Sequence, residues 1–171
     1  MKLQSCVIAS ICALMIGNVW SAEASQTTSS PVTTCKTTSP NGQGAFREPP
    51  SPELYGNGAL SVSPWSAGIV VFKPGGPGFV TPDGALGMKF GWRRGVRGSL
   101  RIEGRRLDAV APPLRSEIAC CGFGDIGFQP SYIIFPSPGC WEVTGRVADA
   151  SLTFVTLVVK IGDGPMRLDQ R

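Results

Sequence analysis

Histidine is absent from all 171 residues, and charged residues make up only 16% of them. Without imidazole the chain has no Ser-His-Asp or Cys-His hydrolytic centre, no histidine-held zinc or haem, and no histidine pH switch. The Asn-x-Ser/Thr sequon is missing as well, so N-glycosylation is not expected. No Gly-x-Ser-x-Gly elbow, P-loop or EF-hand loop is present. No stretch keeps a 3.6-residue apolar period for ten residues, which argues against long amphipathic helices. Glycine and proline, by contrast, are plentiful, at 22 and 15 residues, well above average usage. They follow no triplet period, which excludes collagen. A hydrophobic content of 42% with so little charge argues against disorder throughout.

The N-terminus reads as a secretory signal. Lys2 gives a small positive start, residues 7–19 are mostly apolar, and Ala22-Glu23-Ala24 fits a small-x-small cleavage site. The apolar run is too short to span a bilayer and no basic stop-transfer cluster follows it. The expected organisation is a signal peptide over 1–24, a flexible Ser/Thr/Pro-rich leader over 25–54, one β domain over 55–164, and a C-terminal tail over 165–171. Such a protein is exported and periplasmic, extracellular or associated with the cell surface, with no transmembrane span in the mature chain.

From Tyr55 onward, short apolar runs are separated by turn clusters, among them Pro74-Gly75-Gly76-Pro77-Gly78, Pro82-Asp83-Gly84 and Pro136-Ser137-Pro138-Gly139. Strands are expected at 59–62, 69–73, 79–81, 88–92, 100–107, 132–135, 141–147 and 152–161. Many short strands at this spacing specify an all-β, antiparallel sandwich or barrel. The last pair is the clearest. Trp141, Val143 and Val147 alternate with Glu142, Thr144 and Arg146, and Ala148-Asp149-Ala150 makes the turn.

The segment Pro138-Gly139-Cys140-Trp141-Glu142-Val143-Thr144-Gly145 resembles the opening of the penultimate strand in bacterial immunoglobulin-like and fibronectin-like sandwiches. With Phe72 to Gly78, Ile102 to Asp108 and Gly145 to Val147, it makes residues 55–162 similar to a set of uncharacterised exported bacterial proteins with an immunoglobulin-like domain. The resemblance implies that fold and an exported location, and it brings no activity or site residues with it.

Four cysteines follow the signal segment: Cys35, Cys120, Cys121 and Cys140. An even number in an exported chain favours disulfides, and four allow three pairings. Adjacent cysteines close on each other only in a strained eight-membered ring. The simplest expectation therefore joins Cys140 to Cys120 or Cys121, with Cys35 taking the other. A thiolate metal site is the sharper alternative, but the paired Cys-x-x-Cys spacing of zinc ribbons is absent.

Gly122-Phe123-Gly124-Asp125-Ile126-Gly127 has the letters of a dinucleotide fingerprint but neither the preceding strand nor the following helix that the chemistry needs, so no dinucleotide is expected. Lys89, Arg93, Arg94, Arg97, Arg101, Arg105 and Arg106 face only Glu103 over residues 89–106. With Trp92 among them, Arg93, Arg94 and Arg97 are candidates for an anionic ligand, against the simpler reading of a charged strand edge that discourages aggregation. Carboxylates at Asp83, Glu103, Asp108, Glu117, Asp125 and Glu142 supply acids that one sequence cannot pair. No catalytic residues, metal or cofactor are assigned. The function expected is a non-catalytic binding or envelope-associated module. Its partner would be an anionic envelope component or another protein, met through loops 74–84 and 108–131. The alternative is a small thiol-redox or metal-handling protein using Cys120, Cys121 and Cys140.

Overall fold

The computed structural model describes residues 34–168. The signal segment, residues 25–33 of the leader and the last three residues of the tail lie outside the described residues. The chain forms strands β1 (Tyr55–Gly56), β2 (Leu60–Val62), β3 (Ile69–Phe72), β4 (Phe79–Val80), β5 (Leu86–Arg94), β6 (Arg101–Arg106), β7 (Arg115–Ile118), β8 (Gly127–Phe135), β9 (Gly139–Val147) and β10 (Ala150–Lys160). Among the described residues no helix is long and apolar enough to cross a membrane.

Two sheets result. The larger runs β1-β2-β5-β8-β7, with β4 beside the first residues of β5; the smaller runs β3-β10-β9-β6. Alternation explains why they face each other. Along β5, Leu86, Met88, Phe90 and Trp92 point inward and are buried, while Lys89 and Arg93 point out. On the opposite sheet Trp141, Val143, Phe154 and Val158 are buried in the same layer. Phe154 lies 6.0 Å from the rings of both Phe90 and Trp92, and Phe135 lies 5.7 Å from Trp141, so aromatic pairs stitch the sheets together. The β9–β10 hairpin forms as the alternation specifies, with Ala148 in the left-handed region at the turn (φ 48°).

Three expectations are corrected. First, the sandwich is mixed, because β3 pairs with β10 in parallel. Hydrophobic patterning sets which face is buried, but it carries no information on strand direction. Second, β1 and β7 were not expected, and β8 starts at Gly127 rather than at 132. The glycine run and Pro130, which lies opposite Gly91 inside the ladder, hide the strand signal there.

Third, residues 34–54 are bound to the domain rather than forming a free leader. The Thr38 amide donates to the Val155 carbonyl at 2.8 Å, and the Val155 amide donates back to Thr38 Oγ1 at 2.9 Å. Asn41 Nδ2 donates to the Gly56 carbonyl while Asn41 Oδ1 accepts from the Gly56 amide. Ala45 is buried. Short hydroxyl and amide side chains bond backbone groups directly, so this segment is held without an apolar face. The described part of the tail also has a place, since the Val80 amide donates to the Met166 carbonyl at 2.9 Å.

Candidate binding face

The arginine-rich stretch divides between the two sheets, with Arg93 and Arg94 on β5 and Arg101, Arg105 and Arg106 on β6. Most of its cations are taken up internally. Arg93 pairs with Glu48 at 2.9 Å, Arg105 with Glu142 at 2.9 Å and Arg106 with Asp108 at 2.6 Å. Arg97 Nη1 donates to both carboxylate oxygens of Asp125, at 2.9 and 3.0 Å. Arg94 is 2% exposed and donates to the carbonyls of Gly98, Phe123 and Gly124 at 2.8–3.0 Å. Trp92 has no accessible ring face, because it sits in the core against Phe154 and Gly145. Of the candidate set Arg93, Arg94, Arg97 and Trp92, burial withdraws Arg94 and Trp92 from any ligand, whereas Arg93 and Arg97 keep exposed side chains beside their carboxylate partners. Sequence distance concealed the partners, which lie up to 45 residues away.

The cysteine pairing also differs. Cys35 bonds Cys140 across a separation of 105 residues, and Cys120 and Cys121 are free and exposed. The three-cysteine cluster does not form. Cys140 is the second residue of β9 in the smaller sheet, whereas Cys120 and Cys121 lie in the loop joining β7 to β8 of the larger one. Their sulfurs are 2.7 Å apart. The hydrogen bond to Cys120, then burial, raises the Cys121 thiol above its ordinary value.

The outer face of the larger sheet carries what the sequence reading missed. Lys89, Tyr132 and Glu117 stand side by side across β5, β8 and β7. On one side of this row the Phe79 ring lies over Gly87, where any Cβ would run into it, and meets Tyr132 edge-on at 5.5 Å between centroids. On the other side the Phe128 ring lies over Gly91, within 3.0 Å of where a Cβ would stand. The two glycines are four residues apart on one strand, which places the rings ~13 Å apart along it.

Phe128 is 45% and Tyr132 39% exposed. Trp65 closes the end of this trough and is held at φ 51°, a left-handed conformation that a bulky residue rarely adopts. The hollow bounded by these rings, with Met166 and Leu168 of the tail at its rim, has a volume of about 780 Å³. It takes in part of both loops expected to form the contact surface, through Pro77, Phe79 and Glu117. The signal available in the sequence was Gly87-x-x-x-Gly91 at outward positions of an otherwise large-residue strand, which marks close approach of other groups.

The acids are mostly engaged by arginines. The hydrogen bond from Arg115, then that from Thr81, holds the Asp83 carboxyl well below the usual carboxylate range. Arg106 lowers Asp108 and Arg97 lowers Asp125 in the same way. Glu103 pairs with Arg146 at 2.7 Å. Of the six carboxylates considered from the sequence, Glu117 is the one that borders the trough. Compared with protein-family models and with curated proteins, the chain matches none of them.

Proposed function

We propose that the protein is an exported, non-catalytic binding module of immunoglobulin-like topology that holds an uncharged glycan on the outer face of its larger sheet. The observation that carries this reading is the trough itself. Phe79 and Phe128 lie down over glycines on either side of Tyr132, leaving ring faces beside water where a folded domain would ordinarily cover them. The apolar C–H face of a sugar ring stacks on such rings, and its hydroxyls find a donor in Lys89 and an acceptor in Glu117. One cation and one carboxylate flanking the same tyrosine favour a neutral, hydroxyl-rich ligand over a polyanion. The arginines that suggested an anionic partner are occupied by carboxylates and carbonyls.

The strand order supports the immunoglobulin-like reading. β2-β5-β8-β7 facing β6-β9-β10 corresponds to the ABED and CFG sheets of that fold. Export is supported by the N-terminal pattern and by the Cys35–Cys140 bond, which belongs to an oxidising compartment. The test is affinity electrophoresis of the protein through gels containing chitosan-free chitin oligomers, β-glucan or heparin. Retardation is expected in an uncharged glycan, and F128A/Y132A should lose it, with unchanged far-ultraviolet circular dichroism. Retardation in heparin alone, or equal retardation of the variant, contradicts the proposal.

A further inference from the structure

We propose that Cys120 and Cys121 form a redox-active dithiol that exchanges with external disulfides and closes into a bond between neighbouring residues, an activity argued from the thiols and their loop rather than from the glycan reading. Both thiols are exposed and their sulfurs are already 2.7 Å apart, so no strand has to move to join them. The far half of their loop is pinned. Arg94 holds the carbonyls of Phe123 and Gly124, Arg97 holds the Asp125 carboxylate, and the Gly98 amide donates to the Asp125 carbonyl at 2.9 Å. Between the pin and the pair, Gly122 sits at φ +84° with open space where a Cβ would be. The chain can therefore turn there as the ring closes.

Cys120 also lines a hollow of about 470 Å³ with Lys89, Ile118, Pro130 and Tyr132, which gives an incoming disulfide a place to sit. Cys120 lines this hollow and Cys121 does not, so Cys120 meets the incoming disulfide first and Cys121 is the resolving group.

The chemistry balances with an external disulfide R–S–S–R as the oxidant. Cys120 loses its proton and attacks one sulfur of that disulfide; a mixed disulfide forms, and R–S⁻ leaves and takes up the proton. Cys121 then attacks the Cys120 sulfur, and the Cys120–Cys121 bond forms as the second R–SH departs with the second proton. The two cysteines lose two electrons and two protons, and the external disulfide gains them as two thiols. A bond that is both strained and exposed is readily reduced again, unlike a buried structural one, and Cys140 is 2% exposed.

The full chain, gently reduced, is treated with an aromatic disulfide and then cleaved after Glu117 and Asp125. This releases residues 118–125, whose only cysteines are the pair. The expected peptide carries no aromatic thiol and is lighter by two hydrogens, and C121S should instead yield the peptide with one aromatic thiol attached. Two attached aromatic thiols in the natural chain, an unmodified dithiol, or reduction of Cys35–Cys140 ahead of Cys120–Cys121 overturns the proposal.

Discussion

At the scale of single residues, Asp83 shows how local and distant chemistry meet. Pro82-Asp83-Gly84 makes the turn between β4 and β5, with Gly84 at φ 84° and its amide donating to the Thr81 carbonyl. That turn is legible in the sequence, because proline and glycine impose it locally. Arg115, which makes two hydrogen bonds to the Asp83 carboxylate from 32 residues away, is not. A carboxyl held below its unfolded value of about 3.9 contributes stability above that pH, and the contribution is lost as the pH falls. The urea midpoint is therefore expected to decline below about pH 4, and Asp83→Asn should flatten that decline. Curves that run parallel for the natural chain and the variant would show that the Arg115 contact adds nothing. The same contrast explains the arginines. Their positions are plain, but Glu48, Asp125 and the Phe123 and Gly124 carbonyls that engage them come from other parts of the chain.

At the scale of elements, period-two alternation placed the inward faces of β9 and β10 because each strand repeats its pattern over most of its length. β7 is only Arg115–Ile118, too short and too polar to stand out, and its partner β8 opens on glycine and proline. The attachment of segment 34–54 is invisible in the sequence because hydroxyls and amides bonding to strand backbones leave no apolar trace. Its attachment makes the Cys35–Cys140 bond a fastening between that segment and β9. In the chain-entropy model, a loop of this order constrains the unfolded chain by about 4–5 kcal/mol. Replacing both cysteines with serine should lower the unfolding free energy by roughly 2–5 kcal/mol, read from denaturant midpoints at constant slope. An unchanged midpoint would mean that hydrogen bonds such as Thr38 to Val155 hold the segment alone.

At the scale of the whole molecule, the sandwich leaves its two outer faces unlike each other. On the smaller sheet Arg105 with Glu142, Arg146 with Glu103, and Thr144 with Thr153 are matched across neighbouring strands. The larger sheet keeps glycines beneath rings and a hollow walled by Trp65, Phe79, Phe128 and Tyr132. Which aromatics face outward depends on register and on which strands become neighbours, and neither is written in any one strand. The all-β class and the main strands are therefore readable from the sequence, whereas the aromatic trough emerges only once β4, β5 and β8 lie side by side. We propose that this face holds a neutral glycan. Amide chemical-shift mapping of the isotopically labelled protein during titration with soluble chitin oligomers and β-glucan fragments locates any bound glycan residue by residue. The expected result is a saturable set of shifts centred on Phe79, Gly87, Lys89, Gly91, Glu117, Phe128 and Tyr132; shifts centred on β6 and β9, or none with either glycan, would overturn the proposal.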